Sequence, residues 1–166
     1  MEEKLFRTEE DIKDILQKYS SMVRRICFMY LHHQTDVEDV FQDVFLKLLL
    51  KENTFESDEH IKAWLCRITI NQCKDHCKSF WQKKVSSIDE IVVPFEDKKE
   101  NELMQVILSL PQKYKDVIYL FYYEDYAVPQ MAKLLNQKEN TIYSNLCRAR
   151  KLLKQMLGGT SYDYTY

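Results

Sequence analysis

Glycine and proline are scarce in this chain of 166 residues. It has two glycines, adjacent at Gly158 and Gly159, and three prolines. Hairpins and tight strand turns depend on these residues, so the sequence contains few of the signals that separate β-strands. Its 45% hydrophobic and 13% aromatic content can nevertheless bury a core. We therefore expect an all-α protein of one or two small domains.

Signals for membrane insertion and secretion are missing as well. No apolar run approaches the roughly 20 residues that span a bilayer, and the start MEEKLFRTEEDIKD lacks the cationic and then apolar order of a signal peptide. We therefore expect a cytoplasmic protein that is not embedded in a membrane. The odd number of cysteines favours free thiols over a disulfide framework. These cysteines are Cys27, Cys66, Cys73, Cys77 and Cys147.

Motifs of catalysis and cofactor binding are absent from the sequence. There is no glycine-rich phosphate loop, no nucleophile with a plausible base and no carboxylate pair with a pocket around it. We expect a protein that is not an enzyme and that uses no cofactor, metal or small-molecule substrate. A metal site built from Cys66, Cys73, His76 and Cys77 is the weaker alternative, because structural zinc sites usually draw ligands from two separate elements.

Charge is distributed unevenly along the chain, although the net charge is only -2. Residues 59–84 carry six Lys/Arg against two Asp/Glu, and residues 136–157 carry five against one. Residues 1–58 carry eight Lys/Arg against thirteen Asp/Glu, and residues 85–102 carry two against six. Two basic stretches separated by acidic segments predict two places that meet an anionic polymer.

Residues 127–157, AVPQMAKLLNQKENTIYSNLCRARKLLKQML, have the pattern of two helices joined by a tight turn. Pro129 falls in the first turn, where its missing N–H is harmless, and Asn136 can adopt the left-handed conformation that ends a helix. The first helix has apolar residues at Val128, Met131, Leu134 and Leu135. The second has an apolar stripe at Ile142, Leu146, Ala149, Leu153 and Leu157. This pattern predicts a helix-turn-helix.

The other face of the second helix mixes hydrogen-bonding groups with cations, which suits base edges and phosphates. Its members are Thr141, Tyr143, Ser144, Asn145, Arg148, Arg150, Lys151 and Lys154. We interpret it as a recognition helix for a DNA major groove. An ordinary amphipathic hairpin with a solvated basic face is the alternative.

Two further helices are predicted in the acidic N-terminal part. The first begins at Thr8 and is bent or broken near Ser20–Ser21. The second begins with a capping box of Thr35 and Glu38. It buries Val37, Val40, Phe41, Val44, Phe45, Leu48 and Leu49. Its acidic outer face is either solvated surface or the docking surface for a basic protein partner.

A third helix, from about residue 59 to 82, interleaves cations, aromatic rings and an asparagine. The pattern predicts a buried face with Ile61, either Trp64 or Leu65, Ile68 and Cys73. Its other residues suit unpaired bases, because cations meet phosphates, rings stack on bases and an amide reads a base edge. These residues are Lys62, Trp64, Arg67, Asn71, Lys74 and Lys78. A purely structural Trp64 is an equal alternative.

Residues 85–100, VSSIDEIVVPFEDKKE, interrupt the helical pattern and are strongly acidic. They predict an extended linker, with a short strand at IVVPF as the alternative. Helices are predicted again at residues 101–110 and 112–123, followed by the helix-turn-helix and a frayed tail.

Three segments in one order carry a family resemblance: DVEDVFQDVFLKL (36–48), IKAWLCRITINQCKDHCK (61–78) and the stretch from Leu108 to Leu153. The chain resembles the extracytoplasmic-function (ECF) group of the sigma-70 family of bacterial RNA polymerase sigma factors. The resemblance implies a sigma-2-like helical bundle over residues 1–84, an extended acidic linker over 85–100, a sigma-4-like helix-turn-helix domain over 101–157 and a flexible tail over 158–166.

The resemblance also implies roles for matching positions. The pattern D-x-x-Q-(D/E)-x-F implies that the coiled coil of the polymerase β′ subunit is bound by Asp39, Gln42, Asp43 and Phe45. The pattern W-L-x-R-I-x-x-N implies that melted minus 10 promoter DNA is bound by Trp64, Arg67, Asn71, Lys74 and Lys78. The loop 51–58 would hold a flipped base.

For the minus 35 element, the resemblance implies contacts from the last helix. The residues are Thr141, Tyr143, Ser144, Asn145, Arg148, Arg150 and Lys151. The tyrosine-rich surface before the motif would meet the flap of the β subunit, and an anti-sigma factor is a possible partner. Relatives usually carry a basic residue on either side of Ser144. Tyr143 and Asn145 stand there in this chain, which predicts weaker phosphate attraction and an adenine preference through Asn145.

The function implied is that of an alternative sigma factor, which binds core polymerase, reads minus 35 duplex, and melts and reads minus 10 DNA. A stand-alone helix-turn-helix regulator with an N-terminal helical sensor or oligomerisation domain is the main alternative. A helical adaptor protein is a third, which requires both basic stretches to be accidental. The basic, aromatic third helix argues against the regulator, because a sensor domain needs no second nucleic-acid surface.

Overall fold

The computed structural model describes residues 8–51, 55–83 and 98–158. The chain divides into two compact units, Met1–Val92 and Val93–Tyr166. Within the described residues it is helical and contains no strand, which confirms the all-α class. Unit 1 contains α1 (Glu9–Tyr30), α2 (Gln34–Leu50) and α3 (Asp58–Lys83). Unit 2 contains α4 (Lys98–Leu108), α5 (Gln112–Ile118), a π-helical turn (Tyr119–Tyr123), α6 (Val128–Leu135) and α7 (Glu139–Met156).

Helix α1 begins where the sequence predicts. The Thr8 hydroxyl accepts a hydrogen bond from the Asp11 N–H (3.2 Å), and the Asp11 carboxylate accepts one from the Thr8 N–H (2.8 Å). This capping box satisfies two backbone donors that a helix start leaves unpaired. The expected break at Ser20–Ser21 is wrong, since α1 is continuous over 22 residues. The apolar residues on both sides of the serines face the same core.

Helix α2 begins one residue before Thr35, and its N-cap residue His33 makes no side-chain cap hydrogen bond. The expected Thr35–Glu38 capping box is therefore wrong. The Glu38 carboxylate instead forms an ion pair with Arg24 of α1. The Arg24 guanidinium also lies 4.1 Å from the centroid of the Phe41 ring. A tertiary charge partner thus replaces the local cap.

The core side of α2 is otherwise largely as expected. Val37, Val40, Val44 and Leu48 are at most 2% exposed. Leu49 is 57% exposed, so the expectation that it is buried is wrong.

Helix α3 packs against α1 and α2 through a face that was predicted in part, since Leu65 and Cys73 are buried as expected. The residues buried on it are Leu65, Cys66, Thr69, Ile70 and Cys73. Ile61, Trp64 and Ile68 are only half-buried. The buried face also includes Cys66, Thr69 and Ile70, which were not predicted for it. The buried Thr69 hydroxyl is satisfied because it donates to the Leu65 carbonyl at 2.6 Å.

Two other features complete the description of unit 1. Burial, and secondly the nearby Cys66, raise the pKa of Tyr19. Its hydroxyl donates to the Asp58 carbonyl at 3.2 Å and so links α1 to the start of α3. The residues weighed for a metal site are divided, with Cys66 and Cys73 in the core and His76 paired with Asp36 at 3.1 Å. Across the described ranges no three His, Cys, Asp or Glu side chains are placed to hold a metal ion.

Unit 2 departs from its expected boundaries before the helix-turn-helix. Helix α4 starts at Lys98, so the last three positions of the predicted linker are helical. Residues 85–97 of the linker, including the alternative strand, lie outside the described residues, as does the tail after Gly158. The single helix expected over 112–123 is instead α5 followed by a π-helical turn. The turn ends near Asp125, whose φ of 56° lies in the left-handed region.

The helix-turn-helix forms as predicted. Pro129 lies in the first turn of α6, and Asn136 ends that helix with φ 52° and ψ 49°. The predicted apolar residues of α6 are all buried, and so are those of α7 except Leu157, which is half-buried. None of the described helices is long and apolar enough to cross a membrane.

Candidate nucleic-acid and polymerase interfaces

The outer face of α7 presents the expected recognition surface. Thr141, Ser144, Arg148 and Lys151 follow one another at intervals of three or four residues, and all are exposed. Helical geometry places such residues in one stripe. Exposed Tyr143 lies next to the stripe. We call these five residues the α7 stripe, and they offer hydroxyls, one aromatic ring and two cations to a ligand.

Asn145 does not belong to this surface. It is only 6% exposed and lies on the buried face of α7 with Ile142 and Ala149. The expectation that it reads adenine is therefore wrong, because its amide does not face the side from which DNA would approach. The spacing of Asn145 along the sequence already indicates that it is buried. Asn145 follows Ile142 by three residues and precedes Ala149 by four, so it shares their face.

Arg150 is half-buried and has partners within unit 2. Its Nε donates to the Tyr122 hydroxyl at 2.8 Å, and its guanidinium lies 5.3 Å from the centroid of the Phe121 ring. The side chain therefore connects α7 to the π-helical turn. Its expected role in binding minus 35 DNA stays a prediction, for a side chain that already has partners in unit 2.

A second stripe of polar residues runs along α3. Trp64, Arg67, Asn71, Lys74 and Lys78 are separated by alternating intervals of three and four residues, which places them on one face. Arg67, Asn71 and Lys78 are exposed, whereas Trp64 and Lys74 are half-buried. We call these residues the α3 stripe. The structure thus brings together all five side chains that were expected to meet minus 10 DNA.

An aromatic group extends the α3 stripe at its N-terminal end. The Phe55 ring centroid lies 5.6 Å from that of Trp64 and 5.2 Å from that of His60, with both pairs edge to face. Lys51 Nζ lies 5.3 Å from the Phe55 centroid and 5.4 Å from the Trp64 centroid. Phe55 was not among the residues predicted for this surface. It is the one aromatic residue of the segment KENTFESD (51–58).

On α2, Asp39, Gln42 and Asp43 are exposed on one face, as expected for the polymerase contact. Phe45 is not part of this face. It is 6% exposed, and its ring centroid lies 4.8 Å from that of Phe41. Its direct contact with a partner is therefore an expectation that the structure contradicts. The ring instead packs against Phe41 of the same helix.

The fold and these surfaces are those of a nucleic-acid-binding protein with two helical units. The chain is all-helical in its described parts and has two units. One unit contains a helix-turn-helix, which is a DNA-binding motif, and the other has a separate cationic and aromatic stripe.

Comparisons with known proteins give the family. Sigma-70 region 2 matches residues 15–82, and Sigma-70, region 4 matches residues 100–153. The RNA polymerase sigma factor SigV of Bacillus subtilis is 30% identical over 139 residues, covering 80% of this chain and 82% of SigV. The ECF RNA polymerase sigma factor SigW of the same organism is 24% identical over 169 residues, covering 90% of each chain. The chain therefore belongs to the ECF group of the sigma-70 family.

Solved structures agree with the fold. The sigma factor RpoE of Bartonella quintana, solved in complex with the anti-sigma factor NepR, gives a TM-score of 0.75 at 19% identity and covers 92% of this chain and 99% of its own. CnrH, solved in complex with the cytosolic domain of CnrY, gives a TM-score of 0.64 at 21% identity, with 93% and 92% coverage. At these identities the likeness concerns the fold.

Proposed function

We propose that this chain is an alternative sigma factor that binds core RNA polymerase and directs promoter-specific initiation through three surfaces. The observation that carries the proposal is the placement of two basic stripes on two separate units, within the segments that match sigma-70 regions 2 and 4. A single DNA-binding domain would need only one of them. An initiation subunit needs both, because it meets duplex DNA at one element and opened DNA at another.

The exposed face of α2 is the proposed polymerase contact. Asp39 and Asp43 supply negative charge and Gln42 a hydrogen-bonding amide, on a face unsuited to DNA. The partner proposed for it is the coiled coil of the β′ subunit. Phe45 contributes indirectly, because its ring is buried and packs against Phe41 of the same helix.

The α3 stripe is the proposed contact for melted minus 10 DNA. Arg67, Lys74 and Lys78 would meet phosphates, and Asn71 would read a base edge. The rings of Trp64 and Phe55 at the end of the stripe offer stacking surfaces for a base extruded from the strand. One face of Trp64 can pack in the protein while the other remains available to a base.

The α7 stripe is the proposed contact for the minus 35 major groove. Thr141, Ser144 and Tyr143 lie nearer the N-terminus of the helix, where recognition helices meet base edges, and Arg148 and Lys151 lie farther along it to meet phosphates. The tyrosine-rich surface before the motif is proposed to meet the β flap. An anti-sigma factor is a further proposed partner, consistent with the complex of the sigma factor RpoE with the anti-sigma factor NepR.

We further propose that the chain is a non-catalytic subunit that acts in the cytoplasm, where bacterial polymerase and promoters are found. Its contribution is recognition and melting, while the chemistry of RNA synthesis remains with core polymerase. No cofactor or small-molecule substrate is needed for that role.

The direct experiment is gel filtration of the purified chain with bacterial core RNA polymerase. We expect the wild type to co-elute and Asp39→Arg to be lost from the complex, because the substitution reverses a charge on the α2 face. Asp14→Arg is the matched control, since it makes the same charge change on an exposed position of α1. Circular dichroism would establish that both variants remain folded. Wild type that does not associate, or an Asp39→Arg variant that associates normally, would contradict the proposal.

A further inference from the structure

Arg150 is a cation of α7 that unit 2 holds in place without neutralising its charge. Its Nε donates to the Tyr122 hydroxyl at 2.8 Å, and its guanidinium lies 5.3 Å from the centroid of the Phe121 ring and 5.8 Å from that of the Tyr122 ring. These partners are neutral. Within the described ranges no carboxylate forms a salt bridge with Arg150. The side chain is therefore fixed while its positive charge remains uncompensated.

Both rings that contact the guanidinium belong to the π-helical turn. Phe121 and Tyr122 are consecutive, and their ring centroids lie 4.9 Å apart with the ring planes at 77°. The turn has internal contacts of its own. The buried Tyr119 hydroxyl donates to the Glu124 carboxylate, and the Tyr119 and Tyr123 rings are stacked with centroids 5.5 Å apart. The Tyr122 hydroxyl is therefore presented by a well-packed segment, of a kind that occurs frequently at functional sites.

The hydrogen bond to Tyr122 leaves most of the guanidinium donors for another ligand. A guanidinium has five N–H groups, and the bond uses the one on Nε. The other four are on Nη1 and Nη2, and paired N–H groups of this kind bind phosphate oxygens in bidentate fashion. Arg150 is half-buried, so part of its surface is still in contact with water. Because the hydroxyl and the rings already restrict the side chain, it loses little further freedom when it binds an anion.

The position of Arg150 along α7 also favours an anionic ligand. Arg150 follows Tyr143 by seven residues, which is nearly two helical turns, so the two share a side of the helix. Tyr143 is 56% exposed and belongs to the surface proposed for the minus 35 element. The edge of α7 that carries Arg150 therefore continues this surface toward Tyr122.

We infer that Tyr122 is a positioning residue for minus 35 binding, because its hydroxyl fixes the Arg150 guanidinium so that Nη1 and Nη2 meet a phosphate of the DNA backbone. This inference rests on the proposed function. Tyr122 acts through Arg150, which is the side chain that touches DNA. The alternative is a purely structural connection between the π-helical turn and α7, in which Arg150 contacts no phosphate. The two differ in the salt dependence of DNA binding, because only a phosphate contact releases counterions.

The test is fluorescence anisotropy of the holoenzyme on a mapped promoter duplex at several salt concentrations. Arg150→Gln should weaken binding about tenfold and lower the slope of log affinity against log salt by about one, because a phosphate contact is lost. Arg150→Lys keeps the charge without the planar fork, so the slope should remain while affinity falls about threefold. Lys13→Gln is the matched control, because it removes one positive charge from an exposed position of α1. It should leave affinity and slope unchanged.

Tyr122→Phe tests the hydroxyl alone, since the variant retains the ring. Affinity should fall about threefold in the wild-type background and should not change further in the Arg150→Gln background, because the hydroxyl acts through the arginine. Tyr19→Phe is the matched control, since it removes a tyrosine hydroxyl that makes a hydrogen bond within unit 1. We expect it to bind the promoter as the wild type does. Gel filtration with core polymerase and circular dichroism establish that each variant forms holoenzyme and is folded.

The outcomes separate the inference from the proposed function. Failure of the wild-type holoenzyme to bind promoter DNA would overturn both. If the wild type binds, an unchanged salt slope in Arg150→Gln would leave the pair a structural connection and overturn the inference alone.

Three results with Tyr122→Phe would also overturn the inference alone. Wild-type affinity would show that the hydroxyl does not position the arginine for DNA. A gain in affinity would show that the hydroxyl withholds the cation from DNA, and a loss of holoenzyme formation would assign the hydroxyl to polymerase binding. If Arg150→Gln does not fold, Tyr122→Phe and Arg150→Lys decide the question, and wild-type affinity in either one contradicts the inference.

Discussion

Asn145 shows how one residue can change the description of a DNA-binding face. It stands beside Ser144 in the sequence, yet its side chain is on the buried side of α7. Asn145 was predicted to lie on the outside of α7 because its amide is polar and the helix is basic. The helical repeat outweighs that chemistry, because consecutive residues point about 100° apart. We therefore predict that base preference comes from Thr141, Tyr143 and Ser144.

We predict that Asn145→Ala leaves promoter affinity of the holoenzyme within about twofold of wild type. An asparagine that reads adenine would cost about 1–3 kcal/mol when removed, which is roughly 5- to 150-fold in affinity. Arg148→Ala is the comparison. It should weaken binding and lower the slope of log affinity against log salt by about one. Fluorescence anisotropy on a promoter mapped by run-off transcription measures both. A tenfold loss in Asn145→Ala would return the residue to the interface.

Asn71 is predicted to act after polymerase binding. It is exposed in the middle of the α3 stripe, one turn from Arg67 and Lys74. Asn71→Ala should leave co-elution with polymerase unchanged and slow promoter opening, because a base-edge contact is lost while the phosphate contacts remain. Permanganate reactivity of thymines in the minus 10 element measures opening. Gln72→Ala, at the half-buried neighbouring position, is the control. Full opening by Asn71→Ala would remove the residue from the site.

At the scale of helices, the sequence predicted those features that depend on nearby residues. The capping box of α1 and the left-handed end of α6 at Asn136 both involve side chains within a few positions. The start of α2 could not be predicted in this way. Its Glu38 pairs with Arg24, fourteen residues earlier in the chain, and such a tertiary partner is invisible to a local pattern.

The buried face of α3 was predicted only in part, and the π-helical turn was not predicted, for a related reason. The apolar pattern suggested Ile61 and Ile68 as core, whereas α3 buries Cys66, Thr69 and Ile70 where it packs against α1 and α2. The turn at Tyr119–Tyr123 carries an internal hydrogen bond from the buried Tyr119 hydroxyl to the Glu124 carboxylate. The sequence pattern predicted a regular helix there. A π-helical turn has one residue more between its hydrogen-bonded groups than an α-helical turn, and only the three-dimensional packing shows where that residue lies.

The start of α6 offers a prediction about stability. Ala127 is the N-cap residue, and its N–H donates to the Gln130 side chain at 2.9 Å. This is half of a capping box, since alanine has no oxygen to return the hydrogen bond. Ala127→Ser should complete it and raise the free energy of unfolding by about 1 kcal/mol. Urea unfolding followed by circular dichroism measures the gain. In a Gln130→Ala background the gain should shrink, and equal gains in both backgrounds would contradict the reciprocal box.

At the scale of the whole molecule, the surface for a protein partner and the surfaces for DNA differ in the sign of their charge. The α2 face is acidic and suits a protein with basic groups, while the α3 and α7 stripes are cationic and suit DNA. The near-neutral net charge conceals this division, because acidic and basic segments alternate along the chain. Such a distribution favours a protein that links polymerase to the promoter over a protein that binds DNA strongly by itself.

We therefore predict that the free chain binds duplex promoter DNA at least tenfold more weakly than the holoenzyme does. The exposed cations of α7 include Arg148, Lys151 and Lys154, and Arg150 is a fourth cation on the helix, so the salt slope of the free chain should be about -4 at most. Anisotropy with and without core polymerase, on the same mapped promoter, makes the comparison. A stand-alone helix-turn-helix regulator behaves differently, because it binds duplex tightly without polymerase, usually as a dimer on two half-sites about one helical turn apart. Equal affinities with and without polymerase would favour that regulator, since promoter recognition would then need no second protein.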